Sequence, residues 1–239
     1  MTMAHERVTI EETDVEQRNQ HLERYRFACT HARDRDVLDM ACGEGFGSHM
    51  LAGSGSRRVT GVDISEGAIS KARDKYRLEN LWFRVGDAQA MVFREKRFDL
   101  IISFETIEHL AQPGKHLTAV SRMLKTDGFY ICSTPVRLSG SLNDKPKNPF
   151  HFREWNLPEF KGLLNEYFQK IDVFGQSFYF KENPIPFNRT FMKIICKLVF
   201  RKELSTLFSE KVLPFPELPQ FFNCLPQFQV AVCTAPISM

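Results

Sequence analysis

The sequence predicts a doubly wound α/β domain on a mostly parallel sheet, and three observations predict it. A short apolar strand, Val37 to Met40, runs straight into Gly43-x-Gly45-x-Gly47 and then into a helix starting near Ser48. A second strand, Val59 to Ile64, carries an acid, Asp63, about 20 residues beyond the first glycine. Further apolar runs recur at Leu81–Val85 and Phe98–Phe104, with helical stretches between strands. Strand, glycine turn and helix together bring backbone amides to the carboxyl edge of such a sheet, where a ligand can meet them. A Cβ in that turn would block either the turn or the ligand.

The elements follow in order. Residues 1–20 are polar and acidic and read as a mobile N-terminal segment. From Gln20 to His31 apolar groups fall at helical spacing, giving a helix beside the first strand that can close over a ligand. Ser65 to Arg77 is a helix with Ala68, Ile69, Ala72 and Tyr76 on one face. The third strand, Leu81–Val85, leads into Gly86-Asp87-Ala88, and the fourth, Phe98–Phe104, is apolar enough for a sheet centre. Met123 to Pro135 reads as helix end, turn and fifth strand. Leu157 to Tyr167 is an amphipathic helix, Lys170 to Gln176 the sixth strand, and Phe228 to Cys233 an antiparallel last strand. The domain is thus 21–176 plus 228–239. Residues 177–227 form an insertion rich in Phe and Pro, with an apolar helix edged by basic residues over 189–202.

Bulk properties narrow the classes. The chain has 239 residues with 43% hydrophobic content, enough for one α/β core with an appendage. A net charge of +3 leaves no polyanion footprint, so nucleic acid is the weakest partner class. Six cysteines are scattered without a Cys-x-x-Cys pair, the usage of reduced thiols in a cytoplasmic protein. The N-terminus is unlike a signal peptide, and no apolar run is long enough to span a bilayer.

Two polar features point to chemistry. Asp39, inside the strand ahead of the glycines, repels phosphate and suits a cationic or amine-bearing ligand, while Asp63 can take both hydroxyls of a ribose. A dinucleotide site would instead favour Gly-x-Gly-x-x-Gly with a pyrophosphate on the helix N-terminus. After the fourth strand, a helical turn starting at Glu105 would place Glu105, Glu108 and His109 on one face. Two carboxylates and an imidazole there call for a proton or a hard divalent ion such as Mg²⁺ or Mn²⁺.

From Val37 to about Thr134 the order of these motifs resembles the class I S-adenosylmethionine-dependent methyltransferases. Their fold is a Rossmann-like seven-stranded sheet with an antiparallel last strand. The resemblance implies cofactor contacts from Asp39, Ala41, Cys42, Gly43, Gly45, Asp63, Ile64, Phe104 and Glu105. It further implies that Asp87 and the Ala88 amide meet the adenine. Thr126-Asp127-Gly128 replaces the family's usual Leu-Lys-Pro-Gly-Gly ending and keeps only the turn. The block Asn148 to Trp155 is similar to two metal-assisted branches, the small-RNA 3′-terminal 2′-O-methyltransferases and the ubiquinone-pathway O-methyltransferases. That similarity implies Glu105, Glu108, His109 and His151 as ligands; Val136, where relatives often carry Asn, departs from it. The whole layout resembles bacterial surface-polysaccharide methyltransferases, implying a sugar hydroxyl as acceptor. The expected activity is methyl transfer to a hydroxyl of a small molecule or glycan. It is either metal-assisted or driven by His109 or His151 as base, with Glu108 beside them. A quinone precursor or an RNA 3′ end is the alternative acceptor, and a non-catalytic cofactor-binding scaffold the alternative class. The 189–202 helix is compatible with peripheral contact with an anionic bilayer, or with burial in a subdomain core.

Overall fold

Alternation along β1 (Asp36–Met40) sets the architecture. Val37 turns to one face of the sheet, Leu38 and Met40 to the other, because successive strand side chains point to opposite sides. The computed structural model describes residues 15–91, 93, 97–137, 144–180, 212–214 and 224–237. Its sheet is completed by β2 (Arg58–Asp63), β3 (Leu81–Val85), β4 (Phe98–Phe104), β5 (Leu124–Pro135), β6 (Phe168–Phe180), β7 (Leu213–Pro214) and β8 (Cys224–Pro236). The strand order is β3-β2-β1-β4-β5-β8-β6-β7. Pairing is parallel from β3 through β5, whereas β8 runs antiparallel to both β5 and β6.

Helices cover both faces. On one, α1 (Val15–Cys29), α2 (Phe46–Gly53) and α3 (Glu66–Lys75) pack Tyr25, Ala28, Leu51, Ile69 and Ala72 against Val37, Val59, Leu100, Ile102 and Ile131. On the other, α4 (Pro113–Met123) and α5 (Leu157–Asn165) pack Leu117, Val120, Phe160 and Leu164 against Leu38, Met40, Ile101 and Tyr130. Burial on both faces is why β4 reads as a largely apolar strand, with Leu100, Ile101 and Ile102 at its centre. Start signals are equally plain: Ser65 caps α3 by accepting the Ala68 N–H, and Asn156 and Glu159 form a reciprocal capping box on α5. The order reverses between β1 and β4, and the loops after β1, β2 and β4 gather at that edge, the place where open α/β sheets bind ligands.

Three boundaries differ from the sequence expectation. α1 begins at Val15, inside the segment read as mobile. Its buried residues include Gln20, His21 and Arg24, so a search for apolar periodicity detects only its later half. The β6–β8 ladder runs on to Phe180 opposite Cys224, into the stretch read as insertion. β7 then adds two residues to the outer edge of β6, making an eighth strand. Residues 1–14 and the expected helix at 189–202 lie outside the described residues. Among the described residues no helix is long and apolar enough to cross a membrane.

Gly45 is where fold and site depend on the same atom that is missing. Its φ is 85°, and a Cβ there would lie 2.6 Å from the Phe83 ring and 2.9 Å from Ala72. Gly45→Ala is therefore expected to destabilise the fold by roughly 2–4 kcal/mol, from left-handed strain plus overpacking. Urea unfolding of the variant beside the wild type measures it.

Candidate functional site

The loop after β1 is fixed from below and open above. The Cys42 N–H donates to the Val62 carbonyl (3.0 Å) and the Gly45 N–H to the Cys42 carbonyl (3.1 Å). Ala41, Gly43 and Gly45 all have positive φ. A Cβ on Gly43 would meet nothing within 4 Å, so this backbone faces open space. The Gly43 N–H donates to Asp63 Oδ2 (2.9 Å), and Asp63 Oδ1 accepts the Ser65 N–H (2.9 Å). Asp63 thus ties the β1 and β2 loops together, with the exposed Ile64 beside it. After β3, Asp87 Oδ1 accepts the Gln89 N–H (2.8 Å). The Ala88 carbonyl accepts from His116 Nδ1 (3.1 Å), whose Nε2 takes the Tyr130 hydroxyl (3.0 Å). Burial pushes the His116 imidazole down to about 4, so it stays neutral and holds this tautomer.

Asp39 sits beneath the loop. It is fully buried, and its carboxylate accepts the Ser48 hydroxyl (2.6 Å) and the Tyr25 hydroxyl (3.1 Å). Burial is the largest cause pushing its carboxyl up to about 7, against the two hydrogen bonds. A raised acid binds its proton more tightly in the folded chain than in the unfolded one, so the group removes stability as pH rises from about 4 to about 7. Asp39→Asn is expected to abolish that decline. The stability of wild type minus variant should fall by about 4 kcal/mol between pH 4 and pH 8, read from urea unfolding at each pH.

Beyond β4 the chain departs from the expected turn. Glu105 has a φ of 48°, and the short 3₁₀ turn begins only at Ile107. The backbone reversal sends the Glu105 side chain away from the expected face. It accepts the Ser133 hydroxyl (2.6 Å) and lies 3.4 Å from the Arg24 guanidinium. Glu105 is therefore not among the converging ligand atoms; those come from Glu108, His109 and His151, one from each, all within 4.8 Å of one another. Phe104 is buried edge-on against Tyr25.

Each member of that trio is held. Glu108 is fully buried; its Oε2 accepts the Thr134 hydroxyl (3.0 Å), while its Oε1 has no partner among the described residues. Burial first, and the Glu105 charge second, push its carboxyl well above the usual range, so it keeps a proton unless a cation stands beside it. His109 Nδ1 donates to the Phe150 carbonyl (3.1 Å), which leaves Nε2 as the acceptor nitrogen of the neutral ring. His151 Nδ1 donates to Glu154 (2.6 Å), and its Nε2 accepts from the Asn148 amide (3.0 Å). The Phe152 N–H closes the arrangement on the Glu108 carbonyl (2.8 Å).

Sequence reasoning missed Arg24, Tyr25, His116 and Asn148. Arg24 is fully buried on α1; its Nη1 donates to Gln176 (3.0 Å), its plane lies over Phe228, and its Nε and Nη2 have no partner among the described residues. The available signal was the polar stripe Gln20, His21 and Arg24 on the buried side of a helix, a side that normally carries apolar residues.

Residues 38–132 match the family model of a methyltransferase domain. Over 168 residues the chain is 33% identical to a probable S-adenosylmethionine-dependent methyltransferase of Mycobacterium tuberculosis, covering 69% of this chain and 60% of that one. It is 35% identical over 114 residues to a ubiquinone biosynthesis O-methyltransferase of Ruegeria, covering 47% of this chain and 43% of the relative. The chain thus spans about half the length of the curated relatives it matches, 50% for a Mycolicibacterium smegmatis homologue. In fold it superimposes on a methyltransferase solved in complex with its Trm112 activator from Haloferax volcanii. The TM-score is 0.61 at 17% identity, covering 92% of this chain and 91% of the other. The similarity is to S-adenosylmethionine-dependent methyltransferases, on an α/β fold of the same kind.

Proposed function

We propose that this chain binds S-adenosylmethionine and transfers its methyl group to a hydroxyl oxygen. The residues fit that cofactor. Open backbone at Gly43 can admit it, Asp63 can accept from a ribose diol, Asp87 and the Ala88 amide would read the adenine, and the donors of buried Arg24 that have no partner among the described residues suit the carboxylate of its tail. When bound, the cofactor supplies a methyl carbon on a sulfonium, whose carbon–sulfur bond breaks as the carbon–oxygen bond forms. On the receiving side, His109 takes the hydroxyl proton at Nε2, its ring oriented by the Phe150 carbonyl. Glu108 and His151 flank it.

The observation that carries the reading is the orphaned, fully buried Oε1 of Glu108 beside two imidazoles. The same donor set fits a divalent cation. With Glu105 directed elsewhere, two nitrogens and one carboxylate move the preference from Mg²⁺ toward Mn²⁺ or another transition ion. Asn148 would have to release His151 Nε2 for that ion to bind. Such an ion would lower the pKa of an acceptor hydroxyl. A sugar hydroxyl, free or lipid-linked, is the acceptor this site would serve. A quinone-precursor hydroxyl is the second reading, favoured by the ubiquinone-pathway relatives.

Calorimetry with S-adenosylhomocysteine, with and without Mn²⁺, tests both parts. Saturable cofactor heat is expected, with an additional Mn²⁺ heat that His151→Ala removes. Absence of cofactor heat from folded protein would overturn the reading, and cofactor heat without methyl transfer to any screened acceptor would favour the cofactor-binding scaffold.

A further inference from the structure

The loop 144–153, which closes over Glu108 and His109, carries two large apolar side chains that the fold leaves exposed. Phe150 is 45% exposed and Phe152 60%, on either side of the half-buried His151. They are held out by an anchored backbone. The Phe150 N–H donates to Asn148 Oδ1 (3.0 Å), the Phe150 carbonyl accepts from His109, and the Phe152 N–H donates to the Glu108 carbonyl. Lys145, Lys147 and Arg153 are exposed on the same loop, against one exposed acid, Asp144; Glu154 is engaged by His151.

We propose that this loop is a docking surface for an anionic lipid bilayer. Phe150 and Phe152 enter the interfacial layer, Lys145, Lys147 and Arg153 meet the headgroups, and the loop so bound lies over the trio of Glu108, His109 and His151. Charge favours a membrane over a soluble sugar: a neutral ring could stack on phenylalanine but gives three cations nothing to bind. An anionic bilayer engages both sets at once. The surface lies within the described residues.

Sedimentation of the full chain with vesicles of phosphatidylcholine, alone or mixed with phosphatidylserine, reads the contact without any methyl transfer, so failure here leaves the proposed chemistry untouched. The wild type should bind the serine-containing vesicles. Phe150→Ser with Phe152→Ser should lower the bound fraction about tenfold, and Lys145→Glu with Lys147→Glu and Arg153→Glu should do the same. Thermal unfolding confirms that each variant is folded. In Phe152→Trp, a blue shift on vesicle addition, beyond that of the wild type, should report entry of this side chain. No binding by wild type to either vesicle, or binding unchanged in both multiple variants, overturns the proposal. So does a Phe152→Trp emission that vesicles leave unmoved.

Discussion

Asp63→Ala is expected to lower the affinity for S-adenosylhomocysteine about a hundredfold, near 2.7 kcal/mol, because hydrogen bonds to a charged group are each worth roughly 1.5–3 kcal/mol. Two effects combine. The carboxylate that would accept a ribose diol is gone, and the Gly43 and Ser65 amides lose the acceptor that fixes the two loops together. Asp63→Asn separates them, since it keeps one acceptor oxygen for the loops and loses the charge. The asparagine variant should fall between wild type and alanine in calorimetric titration. Affinity equal to wild type in both variants would place the ribose elsewhere.

The route to that residue shows what one-dimensional pattern carries well. β4, buried on both faces, writes itself as a largely apolar run, and β3, at the sheet edge, alternates, with Leu81 and Phe83 buried and Trp82 and Val85 exposed; both fall where their residues say. The spacing from Gly43 to Asp63 survives folding because β1 and β2 are adjacent parallel strands in register, Asp39 opposite Gly61. What pattern does not carry is the direction of a side chain after a backbone reversal. Glu105, Glu108 and His109 look like one helical face, yet a single left-handed residue at 105 turns the first of them to Arg24 and Ser133. Nor does it carry long-range pairings of polar residues, such as Arg24 with Gln176 or Asn148 with His151, which depend on the packed fold. His151 was legible only through resemblance; the structure brings it beside His109, with ring centroids 4.8 Å apart.

Glu108→Gln should distinguish a structural role for the trio from a chemical one. Glutamine has nearly the same shape and keeps an oxygen for the Thr134 hydroxyl, so the fold and the cofactor loops should be undisturbed and affinity for S-adenosylhomocysteine unchanged. It cannot carry the negative charge that would hold a cation. If a cation assists, methyl transfer, assayed on an acceptor found by screening sugars and phenols, should therefore fall roughly a thousandfold in kcat. His109→Ala should fall as far, since it removes the proton acceptor itself. The pair of results also separates the two chemical versions. If a cation assists, Glu108→Gln abolishes the Mn²⁺ heat together with activity. If His109 acts alone, activity falls in His109→Ala while Glu108→Gln loses little, because a carboxyl that burial keeps protonated contributes no charge to lose.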